Sequence, residues 1–484
     1  MKTHFLLILA FSCICCSCKT APQAEWVSTT FESPWVTQPE VVAVSETSEP
    51  DVVVDVTKTA QTIDGFGTCF NELGWTSLSL LDETVRESIL KEMFAPGVGA
   101  NFTICRMPVA ANDFAIDWYS YNETEGDFEM KNFSIDHDRA TLIPFIQGAQ
   151  RYNPNIKIWA SPWCPPSWMK WNKHYASRST TALAKRLKKR QTGEETFMFR
   201  VVDNELPEDR QAFEGADAFI QKDAYFKAYA LYFSKFIDAY RQEGMMPQNE
   251  FNSDQPYPSC CWTLGGLATF MGKYLGPAMA EKGVEMMYGT VERPREAMID
   301  SIMQDPDCKR YVKAIGFQWA GKDALPIAAR KYPHLKFLQT EQECGNGKND
   351  WNGAVHSWDL MKHYLSHGVS VYTYWNTSLK QGGISRWGWA QNSLVVVSED
   401  GKTFSYTPEY YIMKHVSHYV QPGAKRLVTD GAYKDVLAFV NRDNSVVIVA
   451  GNSGTTDKPV SFKVNNSIYS PVLKANSVNT LLIK

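Results

Sequence analysis

The stretch Leu335-Lys336-Phe337-Leu338-Gln339-Thr340-Glu341 decides the fold. It is short and mostly apolar, and a helical pattern follows it, so it reads as a buried strand that ends on a carboxylate. Seven more runs have the same character: Ile63-Asp64-Gly65-Phe66-Gly67, Phe102 to Pro108, Ile156 to Trp163, Met245 to Glu250, Val284 to Tyr288, Ala314 to Trp319 and Val369 to Trp375. Most start roughly 20 to 55 residues after the one before, room for a strand and its return helix, with one longer gap after the third. Between strands, Phe226, Tyr229, Phe233, Phe236, Ile237 and Tyr240 recur at helical steps and give one apolar face. Eight such units predict an α/β fold, a (β/α)8 TIM barrel over residues 61–404.

The pattern changes on either side of that core. Beyond residue 405, Val436-Leu437-Ala438-Phe439-Val440 and Val446-Val447-Ile448-Val449-Ala450 alternate with turns at Asp443-Asn444 and Gly451 to Gly454, which predicts an all-β sandwich over 405–484. Val52-Val53-Val54-Asp55-Val56 precedes the barrel, so residues 51–60 are expected to supply an N-terminal strand to that sandwich. Residues 19–50, rich in Ser, Thr, Pro and Glu, read as a tether. Residues 1–18 carry Lys2, an apolar run from Phe5 to Phe11, and then Cys13, Cys15, Cys16 and Cys18, the layout of an export signal. Ser17-Cys18 resembles the lipobox of bacterial lipoproteins. The expected location is the bacterial cell envelope (periplasm or outer surface), with membrane contact only through an N-terminal lipid anchor; free secretion is the alternative.

Composition removes several classes of function. A chain of 484 residues with 44% hydrophobic and 21% charged residues can bury a large core, which excludes a disordered chain. The balance of 49 basic against 53 acidic residues provides no general attraction to nucleic acid, and none is expected as a partner. The 13% of aromatic residues suits either sugar-stacking faces or a large core. Cys69, Cys105, Cys164, Cys260, Cys261, Cys308 and Cys344 are odd in number without framework spacing, so free, buried thiols are expected. No HExxH or paired CxxC suggests a metal, Phe70 stands where a dinucleotide fingerprint needs its third glycine, and Walker and GxSxG motifs are lacking, so no cofactor is expected. The basic run Lys185-Arg186-Leu187-Lys188-Lys189-Arg190 reads as a solvated loop.

Barrel chemistry sits at the C-terminal ends of the strands, and two glutamates stand there. Glu250 closes strand four in Met246-Pro247-Gln248-Asn249-Glu250, and Glu341 closes strand seven. Two carboxyls across a barrel mouth are the equipment for glycoside hydrolysis, one donating a proton to the leaving oxygen and the other attacking the anomeric carbon. Strand-end glutamates salt-bridged to loop arginines are the alternative.

Longer motifs carry a resemblance. Ile104-Cys105-Arg106-Met107-Pro108-Val109-Ala110-Ala111-Asn112-Asp113-Phe114, then Asp127-Phe128 to Asn132-Phe133-Ser134, then Ala160-Ser161-Pro162-Trp163-Cys164-Pro165-Pro166-Ser167-Trp168-Met169-Lys170 resemble glycoside hydrolase family 30. That family includes lysosomal glucosylceramidase and microbial β-1,6-glucanases. Gln248-Asn249-Glu250, Thr340-Glu341 and Tyr374-Trp375-Asn376 extend the likeness.

The resemblance implies Glu250 as acid/base and Glu341 as nucleophile, with Glu343 the near competitor for the second role. It implies Asn249 as donor to the sugar 2-hydroxyl, Asp113, Trp163 and Trp375 around the terminal sugar, and Arg106 near the nucleophile. Gln318 and Trp319 are placed among the substrate contacts, but Gln318-Trp319-Ala320 stands where the glucosylceramidases have His-Trp-Tyr, so the hydroxyl that would bond the nucleophile is lost. The segment from His174 to Gln221 is expected to wall one side of the cleft.

The implied activity is a retaining β-glycosidase acting on β-linked glucose, with β-1,6-glucan ahead of glucosylceramide. β-Xyloside, β-fucoside and β-1,6-galactan are the alternatives in sugar, and a non-catalytic sugar-binding lipoprotein is the alternative in kind.

Overall fold

The computed structural model describes residues 22–44, 49–190 and 204–484, with the side chains of 187–190 left aside. Eight strands close a parallel barrel in chain order: Gly65–Cys69, Ile104–Val109, Lys157–Pro162, Gly244–Met245, Glu285–Val291, Val312–Gln318, Lys336–Glu341 and Val369–Asn376. All eight expected strands are in it. Buried on both faces, they read as near-continuous apolar runs with no polar alternation. Ile104, Trp159, Met246, Met287, Ala314, Leu338 and Val371 pack as one cluster of core side chains. Further along the same strands toward their C-terminal ends, the residues are polar.

Strand four is shorter than Met245 to Glu250. Pro247 lacks an N–H, and the chain bends beyond Met246 while still bonding strand three through Met246 N–H to Ala160 O (3.0 Å) and Asn249 N–H to Pro162 O (2.7 Å). Glu250 therefore lies just past the strand, in the left-handed region at φ 48°.

The sandwich departs from expectation at both boundaries. Val52–Thr62 joins it by pairing with Lys425–Asp430 and Phe462–Val464, and the strand runs two residues past 60. The expected tether 19–50 contains two further strands, Gln23–Thr29 and Val36–Val42, at one edge of a nine-stranded sheet. Their polar composition has a physical cause: the second is an edge strand with most residues solvated, whereas the first buries Ala24, Trp26 and Val27, and Trp26 donates to Asn479 at 3.1 Å.

Residues 405–484 do not all belong to the sandwich. Pro408–Ser417 is a helix, capped by Thr407, that packs on the barrel helix Trp351–Ser366. His415 on it is fully buried, bonding Thr480 and Thr29 at 2.8 Å each and so tying barrel to sandwich. Burial, reinforced by Lys414, pushes the His415 imidazole down to about 3.

The basic run lies in a helix, Thr180–Arg190, rather than a loop; Arg186 finds an acidic partner in the buried Asp254. All seven cysteines from Cys69 to Cys344 are free and buried. The expected signal over 1–18 falls outside the described residues. Among the described residues, no helix is long and apolar enough to cross a membrane.

Candidate active site

At the C-terminal mouth the strand ends bring their polar residues together around Arg106, which is fully buried. Its Nη1 donates to Glu341 Oε2 (2.9 Å) and Thr340 O (3.0 Å), its Nη2 to Asn249 Oδ1 (2.7 Å) and Ser161 Oγ (2.8 Å), and its Nε to Ser161 Oγ (3.2 Å). One guanidinium thus joins strands two, three, four and seven. Its planar face lies 4.4 Å from the ring centre of Trp163 and 5.3 Å from that of Trp375, and those two indoles stack at 5.0 Å.

Glu341 ends strand seven and is 5% exposed. Its second oxygen accepts from the Trp319 indole N–H at 3.1 Å. The residue expected among the sugar contacts therefore bonds the nucleophile candidate. Burial pushes the Glu341 carboxyl up to about 7 against the pull of the Arg106 cation, with the charge of Glu250 adding to the rise and the Trp319 hydrogen bond opposing it.

Glu250, 8% exposed, is held by neutral groups. Its carboxyl accepts from Gln318 Nε2 at 3.0 Å, and its backbone N–H donates to Thr290 Oγ1 at 2.8 Å. Gln318 is oriented in turn by Thr340, whose hydroxyl donates to its Oε1 at 2.9 Å. Asn249 Oδ1 accepts from Arg106, Thr290 (3.2 Å) and Gln318 (3.3 Å), which turns its Nδ2 hydrogens to the other side as donors for a ligand.

Asp113 is 4% exposed, and its Oδ1 is buried without a partner, as is Trp375 Nε1. Such atoms are costly unless a ligand hydroxyl or water completes them. Burial, with Glu341 and Glu250, holds the Asp113 carboxyl well above the usual range. Asp113 thus lies within the fields of Glu341, Glu250 and the Arg106 guanidinium together.

Glu343 is placed apart, its carboxylate between Lys322 (2.7 Å) and His356 (3.0 Å); although half-buried, it is held below the usual range by those hydrogen bonds. Trp168 is a packing residue, buried and bonded to Asn122 O at 3.0 Å. The described part of the long segment after strand three braces the loop behind Glu250: Arg178 and Arg186 both bond Asp254, and Ser177 Oγ donates to Ser259 O at 3.2 Å.

Sequence reading missed Ser161, Thr290 and Tyr257. Ser161 stands inside the quoted Ala160-Ser161-Pro162 motif, a signal that was there to use. Tyr257, 7% exposed, lies in the field of all three carboxyls; burial, then their charges, keep its phenol protonated.

Comparison with known proteins gives a consistent result. The model of the Glycosyl hydrolase family 30 TIM-barrel domain matches residues 63–195 and 209–420, and that of the Glycosyl hydrolase family 30 beta sandwich domain matches 423–481. "Putative glucosylceramidase 1" of Caenorhabditis elegans is 28% identical over 449 residues, covering 84% of this chain and 76% of that protein. "Endo-1,6-beta-D-glucanase neg1" of Aspergillus fumigatus is 23% identical over 425 residues, covering 82% and 80%. The crystal structure of SrfJ from Salmonella typhimurium superposes with a TM-score of 0.81 at 20% identity, covering 95% of this chain and 99% of that one.

Proposed function

This chain belongs to glycosyl hydrolase family 30 and is a glycosidase, and from that premise we propose that it is a retaining enzyme cleaving β-linked glucose, with β-1,6-glucan as substrate. The observation that carries the reading is the contrast between the two strand-end glutamates, one bonded to a buried cation and an indole N–H, the other to an uncharged amide. Glu341 attacks the anomeric carbon while Glu250 gives its proton to the departing glycosidic oxygen, leaving a glycosyl-enzyme ester. Glu250, now a carboxylate, takes a proton from water as that water displaces Glu341. Two inversions restore the β configuration.

The remaining residues have roles within those steps. Arg106 and Trp319 keep the Glu341 lone pairs aimed and stabilise its charge as the leaving carboxylate of the second step. Asn249 Nδ2 serves the 2-hydroxyl, where bonds tighten as positive charge grows at the anomeric carbon. Asp113 Oδ1 and Trp375 Nε1 gain partners from sugar hydroxyls, and the stacked Trp163 and Trp375 form the apolar floor.

The relatives named above include both a glucosylceramidase and an endo-1,6-β-D-glucanase, and support for glucan comes from the aromatic loops near the mouth. Trp118 stacks on Tyr175 at 5.8 Å and both are partly exposed, a face better matched to a sugar ring than to an acyl chain, while Trp387, 4.7 Å from Trp118, is buried. A screen of purified protein on pustulan, β-1,6-galactan, glucosylceramide and aryl β-glycosides tests this. Fastest turnover is expected on pustulan; turnover confined to glucosylceramide or galactan moves the substrate assignment, and turnover of none of them removes it.

The signal over residues 1–18 supports export with lipid attachment at Cys18. Radiolabelled palmitate is expected to mark the wild type and not Cys18→Ala; equal labelling of both moves the attachment to Cys13, Cys15 or Cys16, and labelling of neither contradicts the anchor.

A further inference from the structure

A small hairpin lies across the barrel mouth, and none of the steps above uses it. Beyond strand eight, residues 384–390 fold back on themselves, closed by a bridge between Ile384 and Ala390. Ser385 N–H donates to Trp389 O at 2.8 Å, Ser385 Oγ accepts the Trp389 N–H at 3.1 Å, and Gly388 makes the tight turn at φ 80°. On one side Arg386 Nε reaches Asp117, in the loop after strand two, at 3.3 Å, and Trp387 packs on Trp118 of that loop. On the other side Trp389 lies edge to face with Trp319 at 6.5 Å and with Tyr257 at 6.4 Å. The hairpin thus runs from the strand-two loop to the residues beside Glu250.

Exposure separates its two indoles. Trp387 is 1% exposed and packs, whereas Trp389 and its neighbour Trp319 both stay partly open to solvent. Two indoles meeting at 70° and left partly open form an apolar corner at the mouth, of the kind that the C–H face of a sugar ring covers.

The position of that corner says which sugar. Trp319 is held by its N–H on Glu341, and it directly follows Gln318, the residue that bonds Glu250. Tyr257 comes seven residues after Glu250 on the same loop and lies in its field. Trp389 packs on both. With the glycone on the floor of Trp163 and Trp375, the oxygen that Glu250 protonates joins it to the next sugar, which then lies on the Glu250 side of the cleft. We propose that Trp389 is the stacking platform for this leaving sugar and selects a glycan there. The proposal rests on the reading of the site as a retaining glycosidase with Glu250 as acid/base. In the second step the same platform seats an acceptor sugar in place of water: its hydroxyl attacks the anomeric carbon, its proton passes to the Glu250 carboxylate, and the bond to Glu341 breaks.

The test compares the full chain with Trp389→Ala on a β-1,6-gluco-oligosaccharide and on β-glucosyl fluoride, whose leaving group is too small to reach the platform. On the oligosaccharide kcat/KM is expected to fall about 10-fold or more, while on the fluoride it should stay within about two-fold. With the fluoride as donor and methyl β-glucoside added, the wild type should divide its glucosyl-enzyme between water and the acceptor, and the variant should pass about 10-fold less to the acceptor. Trp389→Tyr, which keeps a ring, should regain most of both. Equal losses on the two substrates, or an unchanged kcat/KM and transfer ratio, overturn the proposal. If Trp389→Ala does not fold, Trp389→Leu, bulky but not flat, is read in the same way. Failure of the substrate reading looks different: a wild type that cleaves the fluoride and transfers to methyl β-glucoside, yet leaves the gluco-oligosaccharide intact, loses β-1,6-glucan, and the transfer ratio alone then decides the role of Trp389.

Discussion

Glu341 ends strand seven and Glu250 follows strand four, and both are more than nine-tenths buried, yet they are held in different ways. Glu341 ends its strand in line, with a guanidinium on one oxygen and an indole N–H on the other. Glu250 sits past its strand on a left-handed turn, its carboxyl bonded by an amide. The same residue type thus meets different partners at two places on the barrel mouth, a guanidinium and an indole N–H on one carboxyl and an uncharged amide on the other.

Removing each residue in turn should expose that difference. Glu341→Ala is expected to lose at least about 10^4-fold in kcat for every leaving group, since no other group forms the ester. Glu250→Ala should lose about 10^2- to 10^4-fold on oligosaccharides, with formation of the glycosyl-enzyme nearly intact on dinitrophenyl glycosides. Azide, needing no base, should then release a β-glycosyl azide, identified by NMR. An α-azide from the Glu250 variant would reverse the two roles.

Trp319→Phe sharpens the comparison on the nucleophile side alone. Losing one hydrogen bond to a charged group costs about 1.5–3 kcal/mol, so kcat is expected to fall roughly 10- to 100-fold. The low-pH limb of the profile should move up, because the lost N–H favours the Glu341 carboxylate. An unchanged limb would mean that the indole serves the sugar instead.

The smallest effect on activity is expected far from both glutamates, at His415. Its pKa is about 3 when folded and about 6.5 when unfolded, so between those values the unfolded chain binds the extra proton. Stability conferred by the neutral ring is complete above about pH 6.5 and drains away as pH falls toward 3. His415→Gln should flatten the dependence of Tm on pH between about 5 and 6.5 while leaving kcat near wild type; an unaltered slope would remove His415 as its cause.

Legibility followed the distance over which each feature is specified. Leu335 to Glu341 could be read because a strand and its terminal carboxylate lie within seven consecutive residues. The position of Glu250 was legible too, but its left-handed turn was not, since that depends on Thr290 on the neighbouring strand. Trp26 was lost in a polar stretch whose partner, Asn479, lies at the other end of the chain. Trp319 stands among the expected sugar contacts, and only the fold shows its N–H on Glu341.

Covalent trapping tests the central claim most directly. Incubation with 2,4-dinitrophenyl 2-deoxy-2-fluoro-β-glucoside, followed by proteolysis and tandem mass spectrometry, should find one fluoroglucosyl group on the peptide that contains Phe337-Leu338-Gln339-Thr340-Glu341, with fragments assigning it to Glu341. Label on Glu343 or Glu250, or dinitrophenol released with turnover and no stable adduct, would contradict the account.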